Sequence, residues 1–251
     1  MLKRFLDRTA FLGRELIDDF KQLLSPSVCI SCEGDLPDDD PIFCASCLKK
    51  IREKNPGRGP ICPYCGRVVP SDKNCRYCSQ NPPMRLYYWG KYDGEMVQFI
   101  SAFKFKGVLE LGARLADEAL LQLADTLREN RYDFVIPIPL YKSRHRRREY
   151  NQSEIIAGRI ADAIGIELIP DSVLRVKATK QQAKIDDDRK RWRNVENAFS
   201  LSEGTRIDFE GKRILVVDDI VTTGATVYEA SRPIRERRPD LLDVFGIAFA
   251  G

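Results

Sequence analysis

The sequence predicts an α/β fold in which a mostly parallel β-sheet is flanked by helices and preceded by a small cysteine-rich module. Three observations lead to this prediction. From about Leu86 onward, apolar runs of strand length alternate with segments of helical periodicity. All eight cysteines fall between Cys29 and Cys78. A chain of 251 residues has room for one α/β domain and one small module, and not for two full-sized domains.

The first predicted element is an amphipathic helix over residues 1–26. Its apolar side chains recur at roughly helical spacing among charged ones, and no apolar run is long enough to span a bilayer. We favour packing of this helix onto the rest of the protein over a membrane-surface or partner helix, and peripheral membrane contact stays open. The N-terminus lacks the apolar core and cleavage site of a secretory signal, so we expect a cytoplasmic protein.

Residues 27–84 form the second predicted unit, a zinc-binding module. It contains four C-x-x-C pairs, which are Cys29 and Cys32, Cys44 and Cys47, Cys62 and Cys65, and Cys75 and Cys78. Two such turns supply four thiolates to one tetrahedral structural zinc ion, so the module can hold up to two ions. Neighbouring pairs need the shortest loops, which favours grouping the first pair with the second and the third with the fourth. An interleaved arrangement stays open.

Two other interpretations of the cysteines, a disulfide scaffold and a redox C-x-x-C motif, fit the sequence less well. Four repeats outside any βαβ pattern are typical of neither, and a reducing compartment keeps thiols available for metal. The chain has one histidine, so we expect thiolate ligands throughout. The surrounding residues are rich in Pro, Gly and Asp and poor in apolar residues, so metal binding would supply stability that burial does not.

The third unit, residues 85–251, carries the alternating pattern. Helical periodicity predicts helices at 95–105, 109–129, 151–166 and 225–238, with Asn151 and Ser153 as candidate caps of the third. Apolar runs predict strands at 134–140, 166–176, 198–202, 213–220 and 244–250. Strands that alternate with helices form a parallel sheet covered on both faces, and ligands bind such sheets at the carboxyl ends of the strands.

One predicted strand continues into a turn that suits phosphate binding, ILVVDDIVTTGAT at 214–226. Its four apolar residues predict a central strand buried on both faces, and Asp218 and Asp219 follow where the strand emerges. Backbone N–H groups at the start of the next helix, a glycine that allows close approach and threonine hydroxyls would together hold a phosphate. The alternative interpretation is a buried strand, two surface acids and a threonine cap.

The stretch 214–226 resembles the phosphoribosyl pyrophosphate (PRPP) motif of type I phosphoribosyltransferases, from the apolar strand through the last threonine. The resemblance implies a type I phosphoribosyltransferase-like sheet preceded by a zinc module of the four-cysteine type. It also implies that Asp218 and Asp219 are the catalytic residues, which engage the ribose hydroxyls directly or through Mg²⁺. The residues that it implies for binding the 5′-phosphate of PRPP are Thr222, Thr223, Gly224, Ala225 and Thr226.

Three further stretches resemble the ComF family, whose members also carry an N-terminal cysteine zinc module. They are FKFKG at 103–107, PIPLYKSRHRRREYNQSEIIA at 137–157 and VLRVKATKQQAKIDDDRKRWRNVENAF at 173–199. This resemblance implies a role in DNA uptake during natural transformation, with single-stranded DNA and a DNA-translocating helicase as partners. It implies a transferase that moves phosphoribose to an unknown acceptor. The alternative is a non-catalytic nucleic-acid-binding or interaction protein that retains the PRPP fold as a scaffold or sensor.

The same resemblance implies residues for the pyrophosphate side of the site. The loop after the 134–140 strand would face the pyrophosphate through Ser143 and Arg144. The segment 177–191 resembles the flexible loop that closes over such sites, and its candidate ligand contacts are Thr179, Gln182 and Arg191. Lys177 stands where the family usually has an arginine, so a bidentate donor is missing there.

The net charge of +4 is too small to predict nucleic-acid binding by the whole chain, so that hypothesis rests on two basic clusters. The first contains Arg146 and Arg147, and the second contains Arg189 and Trp192. Such clusters can follow the phosphates of a single strand while an aromatic ring stacks on a base. We favour anion binding for the first cluster. For the second, a solvated helix face with Trp192 half-buried is an equal alternative.

Overall fold

The structure of the protein is a computed structural model. It describes residues 28–36, 42–54, 59–69, 75, 84–105, 109–142, 150–179, 187–204 and 207–251. The helix predicted over 1–26 lies outside these residues. The chain divides into two compact units, Met1–Lys50 and Ile51–Gly251. The division into modules that we expect between residues 84 and 85 stays a prediction.

The helices and strands follow the apolar pattern of the sequence. The helices with bounds in the described residues are α1 (Ala45–Lys54), α2 (Gly94–Phe105), α3 (Leu109–Glu129), α4 (Gln152–Ile164), α5 (Asp188–Val195) and α6 (Ala225–Arg235). The strands are β1 (Leu86–Lys91), β2 (Phe134–Pro137), β3 (Glu167–Leu168), β4 (Val173–Arg175), β5 (Phe199–Leu201), β6 (Arg213–Val221) and β7 (Leu241–Phe249). In α3, Leu111, Leu115 and Ala119 are fully buried at a spacing of four residues, whereas Leu121 is 74% exposed.

Within the part of the second unit that the structure describes, five strands form a parallel sheet in the order β1-β7-β6-β2-β3. The middle strand, β6, pairs with β7 on one side and β2 on the other. Residues 214–217 of β6 are buried, as expected of a strand covered on both faces. The α/β class with a mostly parallel sheet and flanking helices is therefore confirmed.

Residues 166–176 form two short strands rather than the single strand predicted. β3 pairs with β2 in the main sheet, whereas β4 pairs antiparallel with β5 in a separate two-stranded sheet. Pro170 lies between β3 and β4, and the Ser172 hydroxyl donates to the carbonyl of Ile169 (3.2 Å). Proline cannot donate to a sheet ladder, and serine stabilises the turn that follows it. The apolar pattern also does not predict β1, α1 or α5.

A buried ion pair joins β7 to the residue that precedes β1. Asp243 is 1% exposed and accepts hydrogen bonds from Arg85 Nε (3.0 Å) and from the Tyr132 hydroxyl (2.7 Å). Arg85 also donates through Nη2 to Asn130 Oδ1 (2.9 Å). Burial and the nearby Asp243 carboxylate raise the pKa of Tyr132 well above its usual value, so the phenol stays a donor. These hydrogen bonds compensate the cost of burying the Arg85 and Asp243 charges.

Removing one member of this pair should lower the stability far more than removing a surface acid three residues earlier in the sequence. Asp243→Ala leaves the Arg85 guanidinium buried without its carboxylate, and we expect the free energy of unfolding to fall by about 3–5 kcal/mol. The matched control is Asp240→Ala, because the side chain of Asp240 is 57% exposed and pairs with Arg213 at the surface. We expect a loss below about 1 kcal/mol for the control. Chemical denaturation measures both, and equal losses would contradict the prediction.

Candidate functional site

The site lies at the carboxyl end of the middle strand. Because the sheet is parallel, the ends of β2, β6 and β7 meet at one edge. β6 continues through Asp218 and Asp219 to Val221, one residue beyond the predicted end. Successive strand residues point in opposite directions, and the two acids contact different helices. The two adjacent carboxylates therefore contact α2 and α4, which meet at the carboxyl end of β6.

The Asp219 carboxylate forms an ion pair with a lysine near the end of α2. Asp219 is 8% exposed, and its Oδ2 lies 2.8 Å from Lys104 Nζ. Lys104 belongs to the FKFKG stretch at 103–107. The sequence assigned no site role to this lysine, because a contact between residues so far apart in the chain leaves no local pattern. The ion pair neutralises one of the two negative charges.

Asp218 is held by α4. Its Oδ1 accepts hydrogen bonds from the Ser153 hydroxyl (3.1 Å) and from the Asp219 backbone N–H (2.9 Å). Ser153 was expected as a helix cap, but Asn151 occupies the cap position and makes no side-chain cap bond. The Asn151 side chain instead donates to the carbonyl of Ile138 (3.2 Å), just beyond β2. The start of α4 therefore supports the acidic pair and the loop after β2 together.

The Asp218 carboxyl group has a strongly shifted pKa. Enclosure by protein atoms and repulsion by the Asp219 carboxylate raise the pKa of Asp218 to about 7. Lys104 and the hydrogen bonds from Asp219 N–H and Ser153 act in the opposite direction and do not cancel this rise. Two ionised carboxylates side by side therefore need more positive charge than Lys104 supplies. A divalent cation or a ligand that donates hydrogen bonds would supply it.

The turn after β6 has the form of a phosphate cradle. α6 begins at Ala225, and Gly224 is its N-cap residue with φ of 75°. Gly224 has no side chain, so the threonine cap of the alternative interpretation is not formed at that position. The Thr223 hydroxyl oxygen is buried and has no hydrogen-bond partner among the described residues. Ala225 is buried, whereas Thr222 and Thr226 are partly exposed. A glycine in this conformation and a hydroxyl without a partner fit an anion at the helix N-terminus.

Several residues predicted for the pyrophosphate side and for nucleic acid lie outside the described residues. These are Ser143, Arg144, Arg146, Arg147 and Gln182. The first four of these belong to the loop after β2. The described beginning of that loop lies next to the acidic pair, because Ile138 N donates to the carbonyl of Val217 (2.8 Å).

The remaining predicted contacts make bonds within their own segments. The Thr179 hydroxyl accepts from Arg175 Nη2, and Arg191 Nη1 pairs with Asp188 Oδ1 (3.1 Å) on α5. Arg189 is exposed. Trp192 is partly exposed and its ring lies 5.3 Å from that of Tyr228 on α6. Trp192 is therefore half-buried against the domain, and the ligand roles of Thr179, Arg189 and Arg191 stay predictions.

The structure groups the cysteines by neighbouring pairs. The sulfurs of Cys29, Cys32, Cys44 and Cys47 all lie within 4.8 Å of one another, and so do those of Cys62, Cys65 and Cys75. Cys78 lies outside the described residues. The Cys32 and Cys44 sulfurs are 3.7 Å apart and the Cys65 and Cys75 sulfurs 3.5 Å. Four thiolates at about 2.3 Å from one tetrahedral zinc ion are about 3.8 Å apart, so both groups fit structural zinc.

The thiols of the first group also have shifted pKa values. Burial and hydrogen bonds to Cys44 and Cys32 raise the pKa of Cys47 to about 12. Burial opposes ionisation of Cys29 as well, but backbone N–H groups of Cys32, Cys44 and Ser31 outweigh it and lower its pKa to about 7. Four thiolates cannot coexist at this spacing without a cation, which is what a metal supplies.

Comparison with known proteins agrees with the fold. Residues 106–249 match the phosphoribosyl transferase domain, and this segment contains both acids and the turn at 222–226. The fold and this match therefore show a protein with a phosphoribosyltransferase-type domain. The chain is 30% identical to Competence protein F of Haemophilus influenzae, over 88% of this chain and 96% of that protein.

Two further relatives are named for DNA utilization and for competence. The chain is 30% identical to the DNA utilization protein YhgH of Salmonella typhimurium, over 84% of this chain and 91% of that protein. It is 26% identical to the competence protein ComFC of Bacillus subtilis, over 84% of this chain and 89% of that protein. The chain belongs to the ComF family. Among the helices of the described residues, none has the length and apolarity needed to cross a membrane.

Replacing Asp218 should stabilise the protein in a pH-dependent way. The pKa of Asp218 is about 7 in the folded protein and about 4 in an unfolded chain, so the folded state binds more protons between these values. Wild-type stability therefore falls as pH rises from about 4 to about 7 and stays lower above that. Asn keeps an oxygen for Ser153 and carries no charge. We expect Asp218→Asn to raise the unfolding free energy by about 1–3 kcal/mol at pH 8, and therefore to raise Tm, with the gain shrinking as the pH falls and vanishing towards about pH 4.

Thermal unfolding in magnesium-free buffer from about pH 4 to about pH 8 measures this gain. The control is Asp162→Asn, which makes the same chemical change at an exposed acid on α4. A constant gain for Asp218→Asn would mean that its carboxyl does not titrate in this range.

Proposed function

We propose that this chain binds PRPP at the turn after β6. In this proposal Asp218 and Asp219 engage the ribose hydroxyls, directly or through Mg²⁺, and the residues of the turn hold the 5′-phosphate. Those residues are Thr222, Thr223, Gly224, Ala225 and Thr226. The observation that carries the proposal is the buried Thr223 hydroxyl, which has no acceptor or donor among the described residues and stands beside Gly224 at the start of α6. A phosphate oxygen would supply its missing partner.

The charges around the acidic pair support a magnesium-dependent anionic ligand. Mg²⁺ is usually bound in proteins through one or two carboxylates together with substrate phosphates. The Lys104 Nζ atom lies 2.8 Å from Asp219 Oδ2. When a cation takes over the neutralisation of Asp219, the Lys104 ammonium becomes available to an anionic oxygen nearby. We therefore add Lys104 to the residues proposed for ligand binding.

The reaction that we propose is displacement of pyrophosphate from C1 of PRPP by an acceptor that the site residues do not identify. Mg²⁺ would offset the negative charge of the departing pyrophosphate. The chain's own part is to hold the ribose through Asp218 and Asp219 and the 5′-phosphate at the turn, which is catalysis by positioning and electrostatics. In the loops beside them, Ser143, Arg144, Thr179, Gln182 and Arg191 stay candidates for the pyrophosphate side.

We also propose a role in DNA uptake and competence, within the cytoplasm. The support is the names of the relatives, which are competence proteins and a DNA utilization protein. Single-stranded DNA and a DNA-translocating helicase are the partners that follow from this role. In both roles the two cysteine groups would each hold a structural zinc ion.

Calorimetric titration with PRPP tests the ligand proposal. We expect the zinc-loaded protein to bind PRPP with Mg²⁺ and much less without it. Asp219→Asn should abolish the magnesium dependence, because it removes a cation ligand. Thr223→Val keeps the side-chain shape and removes the hydroxyl, so it should weaken PRPP binding by about tenfold without lowering Tm of the free protein. Asp162→Asn is the control for the charge change.

Two outcomes would overturn the ligand proposal. One is the absence of heat from PRPP with a folded wild-type protein. The other is magnesium-dependent binding that survives both Asp219→Asn and Thr223→Val. In either case the non-catalytic role, with the PRPP fold as a scaffold or sensor, becomes the leading function.

A nucleic-acid surface on α5 is the second function that the structure favours. Arg189, Lys190 and Arg193 are exposed on this helix. Asp187 caps the N-terminus of α5, because its side chain accepts a hydrogen bond from Lys190 N (2.9 Å). The cap stabilises the first turn of this short helix, which carries the first basic residues. Trp192 packs on Tyr228, so we assign the contact to phosphates rather than to base stacking.

Charge removal on α5 should weaken single-stranded DNA binding in proportion to the phosphates lost. We expect the double variant of Arg189→Ala and Arg193→Ala to reduce the slope of log affinity against log salt by about 1.4. The control is Arg237→Ala, which removes an exposed positive charge beyond the far end of α6. Fluorescence anisotropy with a labelled oligonucleotide at several salt concentrations measures the slopes. An unchanged slope would remove α5 from the DNA surface.

A further inference from the structure

The backbone turn of the second cysteine group lies directly against the proposed phosphate turn. A Cβ atom built on Gly224 would be 2.7 Å from the carbonyl oxygen of Pro63 and 2.8 Å from Tyr64 Cδ1. Contacts this short do not occur for real Cβ atoms, so residue 224 has to be glycine for two reasons. One is its φ of 75°, and the other is the C-x-x-C turn at 62–65 that occupies the space. The two turns therefore touch backbone to backbone.

The C-x-x-C turn at 62–65 is held by the sheet at its start and by the cysteine group at its sulfurs. On one side, Ile61 exchanges two backbone hydrogen bonds with Leu86 of β1, of 3.0 and 2.7 Å. On the other, the Cys62, Cys65 and Cys75 sulfurs converge within 4.8 Å of one another. The sheet therefore fixes where the turn starts. Backbone hydrogen bonds from Cys62 N to the carbonyl of Arg67 (2.9 Å) and from Gly66 N to the carbonyl of Cys62 (2.9 Å) close the turn. A metal ion that holds the sulfurs together would fix its path further.

An aromatic cluster extends the contact to two helices of the site. The Tyr64 ring lies 6.0 Å from the ring of Tyr228 and 6.2 Å from that of Trp192, and the last two are 5.3 Å apart. Tyr228 is in the first turn of α6, which begins at the phosphate turn, and Trp192 is on α5. One tyrosine of the C-x-x-C turn thus packs against the helix that presents the phosphate turn and against α5.

We propose that metal binding at the second cysteine group positions the phosphate turn, with Pro63 and Tyr64 as the positioning residues. Backbone N–H groups hold a phosphate tightly only if the turn that carries them is already ordered, because ordering it on binding lowers the affinity. The metal fixes the C-x-x-C turn, the C-x-x-C turn supports Gly224 and α6, and PRPP binds a turn that is already formed. The expected effect on PRPP affinity rests on the proposed function, whereas the ordering of the turn by the metal does not.

The first cysteine group provides a matched comparison. Cys32 and Cys65 are each the second cysteine of the first pair in their group, and both are exposed. Cys32→Ala and Cys65→Ala therefore make the same chemical change in two similar metal groups. We expect each variant to lose one zinc ion, measured by atomic emission on the purified full-length protein.

The two variants should differ in ligand affinity. We expect Cys65→Ala to weaken magnesium-dependent PRPP binding by about tenfold, and Cys32→Ala to leave it unchanged. Cys65→His restores a zinc ligand without restoring the thiol, and it should recover both the metal and the affinity. Tyr64→Ala keeps all the thiols, so it should retain both zinc ions and still weaken PRPP binding.

Hydrogen exchange provides a readout that does not need PRPP. In the free protein, backbone amides of residues 222–228 should exchange faster in Cys65→Ala and Tyr64→Ala than in the wild type. They should exchange at the wild-type rate in Cys32→Ala and Cys65→His. If the wild type does not bind PRPP, the proposed function fails, and the exchange rates still decide whether the second metal positions the turn.

Two results would overturn the inference. One is loss of the second zinc ion in Cys65→Ala with unchanged exchange at 222–228. The other is equal acceleration in Cys32→Ala and Cys65→Ala, because a general loss of stability would then account for both.

Discussion

Two adjacent carboxylates at the end of a strand buried on both faces are the constraint on which the site depends. Residues 214–217 are completely enclosed, so the chain cannot turn towards water before Asp218. The negative charge therefore has to be compensated by elements that are far away in sequence. Lys104 comes from the end of α2 and Ser153 from the start of α4. The compensation is incomplete, as the raised pKa of Asp218 indicates, and a site with uncompensated negative charge is suited to a cation and its anionic ligand.

The sequence was sufficient for those parts of the site that are contiguous in the chain. The all-apolar run before Asp218 predicts a middle strand, and the order of acids, threonines and glycine predicts the turn, because each feature depends on neighbours along the chain. The structure adds that Gly224, and not a threonine, occupies the cap position. The predicted strand at 166–176 was wrong because the apolar count concealed Pro170, which interrupts any ladder. β1, with sequence LYYWGK, has no clear alternation and was missed for that reason.

Other parts of the site could not be predicted, because they arise from packing between distant segments. Lys104 is one lysine among many until α2 brings it to Asp219. The C-x-x-C turn at 62–65 predicts a metal ligand pair, but nothing in the sequence says which surface that turn covers. Its contact with Gly224 becomes visible only when β1 pairs with Ile61 and brings the turn to the carboxyl end of the sheet. Trp192 is similar, since its partners Tyr64 and Tyr228 lie on two other elements.

The energetics of the free protein favour a site that still binds its ligand over a fold kept as a scaffold alone. A buried hydroxyl without a partner lowers stability by about 1–3 kcal/mol, and Thr223 has one within the described part of the chain. A partly buried carboxylate beside another carboxylate lowers stability further at neutral pH, as at Asp218. Valine and asparagine would remove both penalties without changing the shape of either side chain. A scaffold gains nothing from these penalties, whereas a ligand that supplies an acceptor to Thr223 and a cation to the acids converts both into binding energy.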